Sequence, residues 1–158
     1  MRLVDELVLR TALPTDLPGI QLLYGELANA QFNAPVSQRR AEQFVAELGR
    51  YRGSALLVGL VGAIPVTTCT LVVVPNLTRG ATPYALIENV ATAAGHQRRG
   101  YGAALLRYAA SRAFAEGCFK VMLMTGSKDP SILRFYKNAG FEQSKTGFQM
   151  RAPELPSL

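Results

Sequence analysis

No apolar run in this 158-residue chain approaches the roughly 20 residues that a helix needs to span a bilayer. The longest, around Leu71 to Val74, is broken by Pro75, so no membrane partner is expected. Cysteine is scarce as well. Cys69 and Cys118 stand far apart with no His or Cys cluster around either, which argues against a zinc site and a disulfide framework and predicts two buried free thiols. Histidine occurs once, as His96. Internal repeats and low-complexity stretches are missing, so residues 1–158 are expected to form one domain around a single core. The opening Met1-Arg2-Leu3-Val4-Asp5-Glu6 lacks the apolar centre of a secretory signal, and a cytoplasmic location is the expectation.

What the chain has in excess is positive charge. Lys and Arg number 17 against 11 Asp and Glu, a formal net charge of +6, which favours an anionic ligand without saying whether it is a nucleic acid or a phosphorylated small molecule. The basic residues are scattered along the chain rather than gathered in a stripe, so no nucleic-acid partner is expected.

Hydrophobic periodicity orders the elements. Residues 4–10 read as a strand. Pro14-Thr15-Asp16 opens a helix whose Leu17, Ile20, Leu23, Leu27 and Ala28 recur at helical spacing, and Ser37 to Leu48 reads as a second helix ending at Gly49. The period then shortens. Ser54–Leu60 and Ile64–Val74 read as a hairpin, Pro75–Gly80 as a loop, and Tyr84–Thr92 as a fourth strand. A glycine-rich turn follows, then a helix whose apolar stripe takes in Leu106, Ala109, Ala110, Ala113 and Phe114. Phe119–Met124 reads as a buried strand, Asp129-Pro130 as the cap of a helix carrying Ile132, Phe135, Tyr136 and Ala139 on one face, and Lys145–Met150 as a last strand. The predicted class is α/β, a mixed sheet with helices on both faces.

The turn, Gly95-His96-Gln97-Arg98-Arg99-Gly100-Tyr101-Gly102-Ala103, joins a strand to a helix start, a place where backbone N–H groups and the helix dipole favour phosphate. A Walker loop is excluded, because Tyr101-Gly102 stands where lysine and a hydroxyl would hold phosphate and magnesium. A dinucleotide fingerprint is excluded too, since Leu105 replaces its third glycine.

Gln97-Arg98-Arg99-Gly100-Tyr101-Gly102, preceded by Ile87-Glu88-Asn89-Val90-Ala91-Thr92 and followed downstream by Phe135-Tyr136-Lys137-Asn138-Ala139-Gly140-Phe141, resembles the acetyl-coenzyme A motif and the "FY…GF" segment of the GNAT N-acetyltransferase superfamily. The resemblance implies a mostly antiparallel sheet splayed between strands 4 and 5, acetyl-coenzyme A as cosubstrate, no metal, and transfer of acetyl to a primary amine of a small molecule. Amides of Arg98 to Ala103 would bind the pyrophosphate, with Gly100 and Gly102 leaving room for it. Arg98 and Arg99 would face the phosphates, unless they are merely solvated. A bulge would free backbone groups of Val90, Ala91 and Thr92 to meet the thioester carbonyl.

Glu88 is the candidate base, matching a strand glutamate of glucosamine-phosphate N-acetyltransferases; a solvated or ion-paired strand residue is the plain alternative. Asn89, standing where those enzymes have an acid, could orient substrate. Tyr136 is the candidate acid for the departing thiolate, or a packing residue. Asp129 is explained by its cap, and His96 by a turn that accepts many residue types. The acceptor would meet residues of about 24–40. An amino sugar phosphate is one possible acceptor, with Arg79, Lys128 and Arg134 as phosphate partners; a protein amino group, or a coenzyme sensor without turnover, are others. Members of the superfamily often dimerise, which makes a homodimer an expectation.

Overall fold

A computed structural model of the chain describes residues 7–27 and 33–153. Five strands, β1 (Leu7–Thr11), β2 (Ala55–Val61), β3 (Ile64–Val74), β4 (Tyr84–Thr92) and β5 (Val121–Leu123), lie side by side in chain order. The first four pair antiparallel, and β4 pairs parallel with β5. Helices α1 (Leu17–Gly25) and α2 (Gln38–Leu48) precede the hairpin; α4 (Tyr101–Ala115) and α5 (Pro130–Asn138) follow β4 and β5. None of the described helices is long and apolar enough to cross a membrane.

Side-chain alternation along the strands divides the core in two. Leu56, Val58 and Leu60 of β2 face α1 and α2, meeting Leu17, Ile20, Ala41 and Leu48. Leu57 of β2, Cys69 and Leu71 of β3 and Ile87 of β4 face the other way, against Leu105, Leu106, Ala109 and Ala113 of α4. Both helix pairs start on residues suited to it. The Ser37 hydroxyl accepts from the Arg40 N–H at 3.2 Å, and Asp129 accepts from the Ser131 N–H at 2.8 Å with Pro130 next to it.

Three expectations change. The loop after β3 holds one turn, α3 (Thr78–Ala81), in which Arg79, Gly80 and Ala81 are all left-handed. Phe114 is 55% exposed, because the stripe that meets the sheet is set by Leu106, Ala109 and Ala113 and leaves it on the margin. Residues 145–150 form no strand: they pair with nothing, and Phe148 and Met150 are 94% and 99% exposed. Alternation gave that stretch a strand's composition, yet a strand needs a ladder partner and a face to bury. Ala28 and residues 4–6 of the expected first helix and strand lie outside the described residues.

Candidate functional site

β4 and β5 share three rungs, Ala85 with Val121 through Ile87 with Leu123. Beyond them β5 stops, whereas β4 runs on from Glu88 to Thr92 with β3 as its only strand neighbour among the described residues, so the sheet opens on that side. A bulge marks the opening. Thr70 opposes Glu88 and Thr68 opposes Ala91, leaving Asn89 and Val90 of β4 against Cys69 alone, with Asn89 in a left-handed backbone at φ 53°. The extra residue shifts the alternation of every later side chain. Val90 packs toward α4, and Asn89 is exposed.

The glycine turn lies at the end of this unpaired strand. The Gln97 amide donates to the Thr92 carbonyl at 3.3 Å and so helps close the turn itself. Arg98 and Gly100 have φ of 59° and 81°, and Gly100 forms the left-handed cap of α4. A non-glycine residue in that conformation stores strain and is concentrated at functional sites. The first helical bond runs from the Ala104 N–H to the Gly100 carbonyl; the N–H groups of 98–103 have no backbone acceptor. They stand at the positive end of a 15-residue helix, where the aligned peptide dipoles favour negative charge.

The two glycines have different reasons. Space around a Cβ at Gly100 is open, as a close ligand approach would require, and the left-handed φ also favours glycine. At Gly102 packing supplies a reason of its own, because a Cβ there would come within 3.1 Å of the Thr92 hydroxyl and 3.2 Å of the Phe135 ring. Gly102 serves the packing of α4 on β4 and α5. Tyr101 is 2% exposed, with His96 stacked on its ring at 6.2 Å, so it can offer a ligand only its N–H. Arg98 and Arg99 are exposed.

Glu88 and Tyr136 lie on opposite faces of the sheet. Glu88 stands beside Thr70 on the side of α1 and α2, half-buried, in none of the ion pairs among the described residues. Tyr136 packs on the α4 side, edge-on to Phe135 at 5.0 Å, and burial pushes its phenol above the usual value. It therefore keeps its proton at neutral pH. Cys69, opposite the bulge, is fully buried, and desolvation pushes its thiol up to about 12.

On the α1 side a pocket of about 250 Å³ is lined by Gln21, Tyr24, Asn33, Ala34 and Val36. Gln21 clamps Val36, accepting from its N–H at 2.6 Å and donating to its carbonyl at 3.2 Å. Asn33 donates to the Tyr24 carbonyl. Glu26, just past α1, accepts from the Ala94 N–H at 2.7 Å and ties this wall to the start of the glycine turn. Tyr24 and Glu26 fall inside the 24–40 range expected to meet the acceptor, but neither belongs to a motif that would single it out, and only the packing of α1 brings them here. Arg79, in contrast, lies 4.5 Å over the Phe119 ring, at the far end of β4 from the turn. Nine strand residues, about 30 Å, separate those ends. Lys128 and Arg134 are exposed. Among the described residues, no three His, Cys, Asp or Glu side chains gather as a metal site.

A model of the acetyltransferase (GNAT) family matches residues 18–141. Among solved structures, a candidate acetyltransferase from Agrobacterium tumefaciens strain C58 is 42% identical, with 92% of this chain and 99% of that one covered at a TM-score of 0.80. A transcriptional regulator from Bacillus halodurans C-125 is 25% identical over 92% and 99%, with a TM-score of 0.82. Glucosamine-6-phosphate N-acetyltransferase from Arabidopsis thaliana shares the fold at 18% identity over 92% and 97%, with a TM-score of 0.76. No curated protein matches significantly.

Proposed function

The chain belongs to the acetyltransferase (GNAT) family, and we propose that it transfers acetyl from acetyl-coenzyme A to a primary amine of a small molecule. The observation that carries this reading is the run of N–H groups at 98–103 without backbone acceptors, set beside a strand that loses its neighbour after Ile87. That cradle fits a diphosphate, and the open side of β4 fits the extended arm attached to it. Acetyl-coenzyme A, when bound, supplies an activated acyl group as a thioester. Arg98, Arg99, Gly100, Tyr101, Gly102 and Ala103 hold its phosphates in this reading, mainly through backbone. Gln97 closes the turn, while Val90, Ala91 and Thr92 line the arm.

Glu88 takes the proton from the incoming ammonium, whose ordinary pKa of about 10 keeps it charged at neutral pH. Asn89, exposed at the bulge, orients the acceptor. As the amine nitrogen bonds the acetyl carbon and the carbon–sulfur bond breaks, Tyr136, on the opposite face of the sheet, gives its proton to the departing coenzyme A thiolate, and the second amine proton leaves as the amide forms. Two faces thus serve two proton transfers. Direct attack by the amine, rather than passage through an acyl-cysteine, agrees with the Cys69 thiol being buried and protonated. We infer an acceptor without a phosphate, a reading supported by the uncharged side chains that line the pocket beside α1 among the described residues and by Arg79 lying at the other end of β4. A second copy of the chain is the partner we assign to the unpaired 145–150 stretch, where Phe148 and Met150 stand in solvent.

The test pairs two measurements. Acetyl-coenzyme A should raise the melting temperature, and a panel of uncharged-bodied amines should give thiol release above the hydrolysis background. Glu88→Gln should then lower turnover about a hundredfold at pH 7, and by less near pH 10, where more of the amine is already neutral. A coenzyme sensor without turnover is the second reading, favoured by the 25%-identical relative named as a transcriptional regulator. Thermal stabilisation without thiol release from any amine would decide for it.

A further inference from the structure

Thr67, near the start of β3, is fully buried, and the packing around it decides where its hydroxyl points. Its methyl lies toward β2, where a Cβ at the paired Gly59 would come within 2.6 Å of it. The oxygen is turned to β4 instead, donating to the Ala91 carbonyl at 3.0 Å and lying 2.9 Å from the Thr92 hydroxyl. A threonine hydroxyl has a single proton. A carbonyl only accepts, so Thr67 spends its proton on Ala91, and in the contact between the two hydroxyls Thr92 is the donor.

The Thr92 oxygen is thereby left with lone pairs alone. Thr67 is the partner of that hydroxyl among the described residues. Its surroundings are those of the coenzyme turn. Thr92 is half-buried at the end of the β4 segment that β5 does not cover. Its oxygen stands 3.1 Å from where a Cβ at Gly102 would be, beside the N–H run of 98–103, and its carbonyl accepts from the Gln97 amide at 3.3 Å. An oxygen that offers only lone pairs repels the oxygens of a phosphate, which the neighbouring N–H groups attract. It suits a donor. In acetyl-coenzyme A the arm that follows the diphosphate carries a hydroxyl and amide N–H groups.

We propose that the Thr92 hydroxyl binds the coenzyme by accepting a hydrogen bond from a donor of the arm just beyond the diphosphate, and that Thr67 is the positioning residue that fixes the direction of this bond. Amides that draw the phosphates and an oxygen that draws the arm then stand side by side, and together they set how far along β4 the thioester reaches. The role rests on the acetyltransferase reading above.

Calorimetric titration of the full-length protein with two ligands provides the test: acetyl-coenzyme A, and 3′-phosphoadenosine diphosphate, which has the phosphates and lacks the arm. Thr67→Val should weaken acetyl-coenzyme A binding about five- to tenfold and leave the armless ligand within twofold of the parent, while the melting temperature falls by about 3–8 °C as two polar groups lose their partner. Thr67→Ser keeps the hydroxyl and should bind both ligands within twofold of the parent. Thr92→Val, at a half-buried site, should show the same arm-specific loss, and the double variant Thr67→Val/Thr92→Val little more than either alone, since both act through one bond. Equal weakening of the two ligands, or acetyl-coenzyme A binding within twofold of the parent in Thr92→Val, would overturn this role and leave the acetyltransferase reading standing. A parent protein that binds neither ligand would overturn both.

Discussion

Asp16 shows how a single charge can be legible as a helix signal and still hide its main partner. Its place before Leu17 in Pro14-Thr15-Asp16 marks a helix start, and its carboxylate does accept from the Leu13 N–H at 2.6 Å. The stronger contact comes from β1, where the Arg10 guanidinium grips it with bonds of 2.6 Å and 3.0 Å. That grip, with the Leu13 bond, holds the carboxyl below its usual range against the burial that would raise it. A depressed carboxylate contributes stability that is fully present above the ordinary value near ~3.9 and lost as pH falls through the lower folded value. Asp16→Asn should therefore cost about 2 kcal/mol at pH 7. The figure is moderate because the Arg10 side chain is 33% exposed. Denaturant midpoints at pH 7 and near pH 3 should show the difference between variant and parent shrinking in acid; a constant gap would assign the loss to packing.

At the scale of elements, the turn between β4 and α4 was the most readable part of the chain. Glycine spacing and a following amphipathic helix are local properties, and Gly100 adopts the left-handed cap its type permits. Gly102 was legible as a requirement but not as a reason, because its neighbours Thr92 and Phe135 come from two other elements. The pair can be separated by experiment. Gly102→Ala should lower apo stability by about 1 kcal/mol, since the Thr92 hydroxyl is fixed by that of Thr67 at 2.9 Å and yields little. Gly100→Ala meets no side chain, costs about 1 kcal/mol through its backbone, and should in addition weaken acetyl-coenzyme A binding as the neighbouring N–H groups turn. Calorimetric titration beside thermal melts checks both; equal losses of affinity in the two variants would contradict the distinction.

For the whole molecule, the open edge of the sheet is the unfinished feature. β5 is three residues long with no neighbour beyond it among the described residues, while Thr146, Phe148 and Met150 are all exposed. Pairing between two copies would cover that apolar surface and supply the missing ladder. Light scattering should give twice 17.1 kDa, and Phe148→Asp should return the monomer without unfolding it. A parent that stays monomeric at tens of micromolar would remove the dimer from the reading.

By itself the sequence determined what depends on near neighbours: the helices at Gln38–Leu48, Tyr101–Ala115 and Pro130–Asn138, the β2–β3 hairpin, and the turn that exposes its amides. These follow from periodicity, caps and backbone preference within a few residues. Tertiary structure alone decided that Glu88 lies across from Thr70 on the face of α1 and α2, that Arg79 lies far from the glycine turn, and that 145–150 finds no ladder partner among the described residues. The physical reason is the alternation of a strand. A single bulge at Asn89 and Val90 re-aims every side chain after it, and which helix then lies against each face is set by contacts between residues far apart in the chain.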